Sequence, residues 1–327
     1  MLAAYVTRLG TPDEIRVGEL PEPRPGPGEV LVDVTASSVN AVDTFVRSGS
    51  FRTEMAFPFV VGRDLVGTVA DPGDSGFRHG DRVWCNSLGH DGRQGAVAER
   101  AAVPAERLYR LPDGVDPDRA VTVLHPGATA HLALVAHGGL RAGDDVLVIG
   151  AAGHVGSAAT VLATRAGARV LAVARADDDA YCRGLGADAV VDRFGPDPAE
   201  RVRELAPDGV RLCVDTSGRN DLATWIGRLA VRGRFVMLAG REARPTLTAG
   251  ELYTMDRTVT GFVISRATPD ELADAARSLN PLLAEGALRP RRTVRTPLSR
   301  TAEAHRLVEA GAPRGTRVVL EVRGDRR

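Results

Sequence analysis

The spacing of apolar positions changes character near residue 118. Before it, apolar residues come in short runs punctuated by Gly, Pro and Asp. Val30-Leu31-Val32-Asp33-Val34 predicts a strand, and it follows Pro21-Glu22-Pro23-Arg24-Pro25-Gly26-Pro27-Gly28, a segment that reads as turn. Val60-Val61, residues 65–70, Val83-Trp84 and residues 97–99 predict further strands, with turn signals at Asp71-Pro72-Gly73 and Gly80-Asp81. A small, partly closed β-rich domain is expected. Beyond residue 118 a helix is predicted over 120–135, and then strands and helices alternate. Strands are predicted at 146–149, 170–173, 189–191, 210–214 and 234–238, and helices at 155–166, 178–185, 199–205 and 222–229. Short apolar strands alternating with helices imply a parallel sheet covered on both faces. Another strand is predicted at 258–264 and an amphipathic helix at 269–285, with Leu272, Ala275, Leu279 and Leu283 on one stripe. A helix at 301–310 and a strand at 317–322 close the chain. The expected class is α/β: a doubly wound nucleotide-binding domain over 121–265, and a β-rich domain built from 1–120 and 266–327.

The most specific segment lies where the alternation begins: Asp145-Val-Leu-Val-Ile-Gly150-Ala-Ala-Gly153-His-Val-Gly156. A buried strand ends in a glycine turn that opens a helix. Gly150 permits the tight turn, Gly153 lets backbone N–H groups approach a pyrophosphate, and Gly156 lets the helix pack on the strand. Ala152, His154 and Val155 complete the cofactor-binding turn. The next strand ends at Val173-Ala174-Arg175, where an NAD site carries an acid for the ribose 2′-hydroxyl. A small residue followed by arginine suits a 2′-phosphate, which favours NADPH over NADH. Asp177, Asp178 and Asp179 fit the first turn of the next helix; were one of them turned inward, NADH would be preferred.

Composition narrows the chemistry. The 327 residues carry 42 basic and 42 acidic side chains, and every basic one is arginine. Without lysine there is no Schiff-base chemistry, no Walker-type phosphate site and no Tyr/Lys catalytic pair. Arginine still binds phosphate well. A formal net charge of zero argues against nucleic acid as a partner, and Arg289, Arg291, Arg292 and Arg295 read as a solvated face. Cys85, Cys182 and Cys213 are too widely spaced for a ligand pair or disulfide framework. Met1-Leu2-Ala3-Ala4-Tyr5 lacks the features of a signal peptide. The uncharged stretches 120–140 and 146–164 are interrupted by Pro126, glycines and histidines, so neither reads as a membrane span. A cytoplasmic protein is expected.

Several further motifs stand in order along the chain: Asn40-Ala-Val-Asp43-Thr-Phe-Val-Arg47-Ser-Gly49, Pro58-Phe-Val-Val-Gly62-Arg-Asp64-Leu-Val-Gly67-Thr-Val69, Gly80-Asp81-Arg82-Val83 and Gln94-Gly95-Ala-Val-Ala98-Glu99. They continue through Gly127-Ala-Thr129-Ala130, Leu185-Gly186-Ala187-Asp188, Asp215-Thr-Ser217-Gly218 and Gly233-Arg-Phe-Val236. Together they resemble the medium-chain dehydrogenase/reductase superfamily in its zinc-independent quinone oxidoreductase branch. The resemblance implies a GroES-like fold for the β-rich domain, a cleft between the domains for cofactor and substrate, and a homodimer joined through the nucleotide domain. It implies Asn40 as a donor to substrate or nicotinamide ribose, though Asn40 also reads as a turn former before a helix. Thr129 is implied at the nicotinamide end, and Ser217, Gly240 and Arg317 beside the cofactor. Arg317 stands where the family usually has lysine. Zinc-dependent relatives use a Cys and a Gly-His-Glu triplet; the corresponding regions here read Asn40 to Asp43 and Gly62-Arg63-Asp64, with one histidine, His125, nearby. No metal is therefore expected.

Without a Lewis acid, hydride transfer needs an already activated acceptor, such as a quinone or an α,β-unsaturated carbonyl. Tyrosines that the branch often places near the pocket correspond to Phe45 and Phe51, which makes a flat hydrophobic substrate the expectation. Tyr253 and Met255 are further pocket candidates. His154 is a weaker general-acid candidate. Three readings stay open: an NADPH-dependent quinone or enone reductase, with enoyl reduction of a polyketide-like substrate as a variant; a zinc-free NADP-dependent alcohol or carbonyl dehydrogenase; and a non-catalytic NADPH-binding protein.

Overall fold

The structure is a computed structural model and describes residues 1–322. The chain forms two compact units, one from Met1–His125 together with the chain from Leu272, the other Pro126–Glu271.

In the first unit, Glu29–Ser38 is the central strand of a seven-stranded sheet. Its alternate residues Val30, Val32, Val34 and Ala36 are fully buried, as a strand with one covered face requires. Asp64–Asp71 and Arg100–Pro104 pair antiparallel with it, and so does Thr316–Glu321 from the far end of the chain. Arg292–Pro297 then adds in parallel at the edge. The sequence pattern marks that segment only as a charged face. It is a strand with exposed arginines, which is how an edge strand is kept from pairing with another chain. A second, three-stranded sheet holds Leu2–Val6 between Arg16–Glu19 and Phe59–Val60.

The second unit is a six-stranded, wholly parallel sheet. Its order is Ala189–Asp192, Arg169–Ala174, Asp145–Ile149, Val210–Asp215, Leu229–Met237, Thr258–Gly261. Val146, Leu147, Val148, Val170, Leu171, Val214 and Phe235 are fully buried. Chain order reverses between the Asp145–Ile149 and Val210–Asp215 strands, the place where doubly wound sheets open a crevice at their carboxyl ends.

Four expectations shift. The helix predicted over 120–135 is two helices, Pro117–Val121 and Leu124–Leu134. Pro126 has no N–H to give a preceding turn, so the break falls just before it. The strand predicted at 97–99 begins instead at Arg100, with Ala98 making a single bridge to Ala3. The helix predicted over 222–229 ends at Trp225 and tightens into a 3₁₀ turn at Ile226–Arg228, because Leu229 is already paired with Val210. The strand predicted over 258–264 stops at Gly261. Among the described residues no helix is long and apolar enough to cross a membrane.

One buried group in the first unit works against folding. His305, on the Thr301–Glu309 helix, is fully buried, and neither ring nitrogen has a hydrogen-bond partner among the described residues. Burial, then the neighbouring Arg47 charge, depress its pKa to about 3. The unfolded chain thus binds a proton that the folded chain refuses between about pH 6.5 and pH 3, so this group removes stability as pH falls through that window. His305→Leu is expected to stabilise the protein by about 1–3 kcal/mol at neutral pH, the cost of an unsatisfied polar group. Its advantage should grow by about 1.4 kcal/mol per pH unit on acidification. Melting curves of both proteins at pH 7.5 and pH 5 check this; an advantage that is absent, or that shrinks in acid, refutes it.

Candidate functional site

The glycine turn is built as its residues require. Gly150 adopts φ +80°, and a Cβ there would meet Thr216 Oγ1 at 2.7 Å. Its N–H donates to Val173 O (2.9 Å), tying the turn to the neighbouring strand. Gly153 caps the His154–Arg165 helix, leaving the first-turn N–H groups of His154, Val155 and Gly156 at its open end. At Gly156 a Cβ would lie 2.2 Å from Gly150 O, so only glycine lets helix and turn close. Ala152 is buried in the turn. A second turn locks onto the first: Thr216 Oγ1 donates to Ile149 O (2.9 Å), and the Asp215 carboxylate accepts N–H bonds from Ser217 (2.7 Å) and Asn220 (3.1 Å). Gly240, at φ +78°, packs against Gly218 O where a Cβ would lie 2.0 Å away. Gly150, Ser217 and Gly240 thus converge at the carboxyl edge of the sheet.

Beside this edge lies a cavity of about 270 Å³ lined by Gly150, Val173, Asp215, Ser217, Arg193 and Arg219 among others. Arg175 is joined to Arg193 through exposed Phe194: the guanidiniums of Arg175 and Arg193 sit 5.3 and 4.8 Å from its ring centre. Burial, then the charges of Arg219 and Arg175, lower the pKa of Arg193. None of the three arginines forms an ion pair among the described residues, and the Asp215 carboxylate acts on Arg193 in the opposite sense to its two arginine neighbours. Arg193 and Arg219 were missed by motif reading. The signal was available only as arginines one and four residues past the strands Ala189–Asp192 and Val210–Asp215, positions that mean nothing until the sheet order is known. Asp178 is buried and Asp177 exposed in the 3₁₀ turn Ala176–Asp178, so one of the three acids does turn inward, the arrangement that the sequence reading tied to NADH.

In the β-rich unit the motif from Asn40 to Gly49 is a helix with both ends specified. Asn40 is the N-cap of Ala41–Ser48, its N–H donating to the Asp43 carboxylate (2.7 Å), and Gly49 is the left-handed C-cap at φ +81°. Arg47 is buried and paired with Glu309. Asn40 itself is buried. Its Nδ2 donates to Asp64 Oδ2 (3.1 Å), and its Oδ1 accepts from Arg317 Nη2 (2.7 Å). Arg317 also donates to Ser38 Oγ (3.2 Å), and Ser38 Oγ to Asp64 Oδ2 (3.1 Å). The expected cofactor residue Arg317 therefore spends its buried guanidinium bracing Asn40 and Ser38. Asp43 faces Arg63 Nε at 3.9 Å. Burial raises the pKa of Asp43 to about 6. Burial, followed by the Asp43 charge, raises that of Asp64 to about 7. His125 Nδ1 lies 4.0 Å from Asp64 Oδ1.

The remaining expected residues are more scattered. Phe45 is exposed, and Phe51 is half-buried with its N–H on Phe45 O and its ring against His90. Tyr253 is 73% exposed at the end of a short helix and Met255 half-buried two residues on. Thr129 is buried on the Leu124–Leu134 helix, and His154 is half-buried. Among the described residues no three His, Cys, Asp or Glu side chains gather to hold a metal ion. Around Asp64 the neighbours are the guanidiniums of Arg63 and Arg317, a charge set that does not suit a cation.

The alcohol dehydrogenase GroES-like domain family matches residues 26–113, and the zinc-binding dehydrogenase family matches residues 155–280. A quinone oxidoreductase of Pseudomonas aeruginosa is 30% identical over 97% of this chain and 98% of its own. A solved NAD-dependent alcohol dehydrogenase superposes with a TM-score of 0.86 at 31% identity, covering 98% of this chain and 100% of that one. A mycobacterial protein solved in complex with NADPH superposes with a TM-score of 0.82 at 33% identity, covering 98% and 99%. Two domain families matched in order, 30% identity to a quinone oxidoreductase over nearly the full length and the glycine turn of the parallel sheet have one common reading: the chain belongs to the medium-chain dehydrogenase/reductase family, in its quinone oxidoreductase-like branch.

Proposed function

We propose that this protein is an NADPH-dependent reductase of quinones or α,β-unsaturated carbonyls that works without a metal ion. The observation that carries the cofactor choice is the group of arginines without ion pairs: Arg193 and Arg219 in the cavity with Gly150, and Arg175 joined to Arg193 through Phe194. Clustered guanidiniums repel one another, and a dianionic 2′-phosphate would relieve that repulsion with charge-assisted hydrogen bonds. Asp215 is held by its own turn, so it is not free to take a 2′-hydroxyl in place of a phosphate. The NADPH-bound mycobacterial neighbour supports the same reading. The pyrophosphate is assigned to the N-terminus of the His154–Arg165 helix, with Ala152, Val155, Ser217 and Gly240 around it. Bound nicotinamide supplies the hydride; the protein positions the acceptor and excludes water. Phe45 and Phe51 in the first unit, and separately Tyr253 and Met255 in the second, are proposed as apolar contacts for the acceptor, and Thr129 as a contact of the nicotinamide end. Enoyl reduction of a polyketide-like substrate is a narrower form of this reading. The unpaired edge strand Thr258–Gly261 is assigned to a homodimer contact.

The test is NADPH consumption with a naphthoquinone and a panel of enones, with and without chelator. Turnover unaffected by chelator is expected. Oxidation of secondary alcohols with NADP⁺ and no alkene or quinone reduction would move the protein to the alcohol dehydrogenase reading, which the alcohol dehydrogenase neighbour favours. Nucleotide binding with no turnover of any substrate would make it a non-catalytic NADPH-binding protein.

A further inference from the structure

We propose that the β-rich unit carries an anion site of its own, in which Arg119, Arg289 and Arg295 take a phosphate group, free or borne by a small molecule. The inference stands apart from the reductase reading, since every residue it uses lies in the first unit. A cavity of about 470 Å³ is lined there by Asp116, Asp118, Arg119, Arg289, Thr293 and Arg295 among others. Three elements supply the arginines. Arg119 is on the Pro117–Val121 helix, Arg289 follows the Pro269–Ala284 helix, and Arg295 is on the Arg292–Pro297 edge strand. Arg289 and Arg295, which the charge pattern marks as a solvated face, thus share a concave site with Arg119.

The charge balance at this cavity favours an anion. Arg295 Nε is paired with Asp118 Oδ2 (2.8 Å), and Asp116 Oδ1 accepts from the backbone N–H of Arg119 (2.8 Å). The guanidiniums of Arg119 and Arg289 make no hydrogen bond or ion pair among the described residues, and Arg119 Nε is buried. The place of Arg119 is built in. Its guanidinium lies on Gly286, at φ +73°, where a Cβ would stand 2.5 Å from Nη2, 3.1 Å from Nη1 and 3.2 Å from Cζ. Any side chain at 286 would push it aside. Gly286 closes the end of the Pro269–Ala284 helix, its N–H on Leu283 O, yet Arg119 donates to none of the carbonyls there. Donors withdrawn from water that meet no acceptor are costly, and an anion in the cavity would meet them. Guanidiniums reaching in from three separate elements suit the tetrahedrally spread oxygens of a phosphate, whereas a planar carboxylate offers two.

The test is a thermal-melt titration of the cofactor-free full chain with sodium phosphate and with glycerol 3-phosphate, against sodium chloride at equal ionic strength. Wild type is expected to gain melting temperature and to saturate with a Kd of about 1 mM, the affinity that two charge-assisted hydrogen bonds supply. Arg119→Gln and Arg289→Gln should each weaken binding about tenfold or more. Arg289 is exposed, so its variant keeps the test open even where Arg119→Gln does not fold. Asp118→Asn frees Arg295 from its pair and should tighten phosphate about two- to fivefold, a gain that a purely structural role for these residues would not give. Glycerol 3-phosphate binding as well as phosphate assigns the site to a phosphate ester, and binding of phosphate alone assigns it to the free ion; both retain the site. The Arg175→Ala/Arg193→Ala protein, altered at the phosphate position proposed for the nucleotide unit, should keep the saturating response. A response lost in that protein but kept in the Arg119 and Arg289 variants puts the anion in the nucleotide unit and overturns the proposal. So does a wild type that responds to phosphate no more than to chloride.

Discussion

The double variant Arg175→Ala/Arg193→Ala is expected to bind NADPH about 100-fold more weakly than wild type, while NADH binding changes less than about threefold. The magnitude follows from two hydrogen bonds to a charged group, each worth about 1.5–3 kcal/mol when the charge is met, with every 1.4 kcal/mol a factor of ten in affinity. The asymmetry between the nucleotides follows from chemistry: both guanidiniums border Phe194 just past the strands Arg169–Ala174 and Ala189–Asp192, and the 2′-phosphate proposed to meet them is the one group by which the two cofactors differ. Either single variant should lose less, because the remaining arginines, Arg219 included, still face the same anion. Fluorescence titration with both nucleotides at low and moderate salt measures this, and added salt should narrow the difference. Equal losses for NADPH and NADH would show that these arginines hold no 2′-phosphate.

Gly156→Ala is expected to cost at least about 3 kcal/mol of stability and to abolish measurable nucleotide binding. The added methyl would stand 2.2 Å from Gly150 O, 2.8 Å from Gly150 C and 2.8 Å from Ala151 Cα. All three are backbone atoms of the turn itself, so no side chain can swing away. Relief requires lifting the His154–Arg165 helix off the strand, and that moves the same N–H groups that would face the pyrophosphate. Gly184→Ala is the control in the same unit: nothing lies within 4 Å of a Cβ there, and the backbone is helical. It should melt at or slightly above the wild-type temperature, because alanine loses less freedom than glycine on folding. A Gly156→Ala protein that melts and binds like wild type would show that helix and turn are not in contact in solution.

What the sequence made legible was local. The glycine turn could be read residue by residue because each glycine answers a demand of its own neighbours, and the alternation of period marked the parallel sheet. Arg193 and Arg219 could not be read this way. They follow strands distant in sequence, and only the order of strands in the sheet brings them to Arg175 and Gly150. Arg317 shows the opposite failure: a motif position correctly located, whose guanidinium turned out to be engaged by Asn40 and Ser38. Of the two readings of Asn40 the structure shows the turn former, since it caps a helix, while its Nδ2 donates to Asp64 within a buried polar network. The strand at Arg292–Pro297 was hidden by its arginines, because exposed edge positions lack the alternation that betrays a half-buried strand.

The pairing of Ser38 with Val319, across the central strand of the β-rich sheet, has a consequence for synthesis. The nucleotide unit is continuous in sequence and can fold as soon as it has left the ribosome. The sheet that carries Asp64 cannot be completed until the Thr316–Glu321 strand has emerged, after the entire nucleotide unit. Until then the Glu29–Ser38 strand lacks one neighbour and offers an open, aggregation-prone edge. A strand made some 280 residues later is the one that seals it.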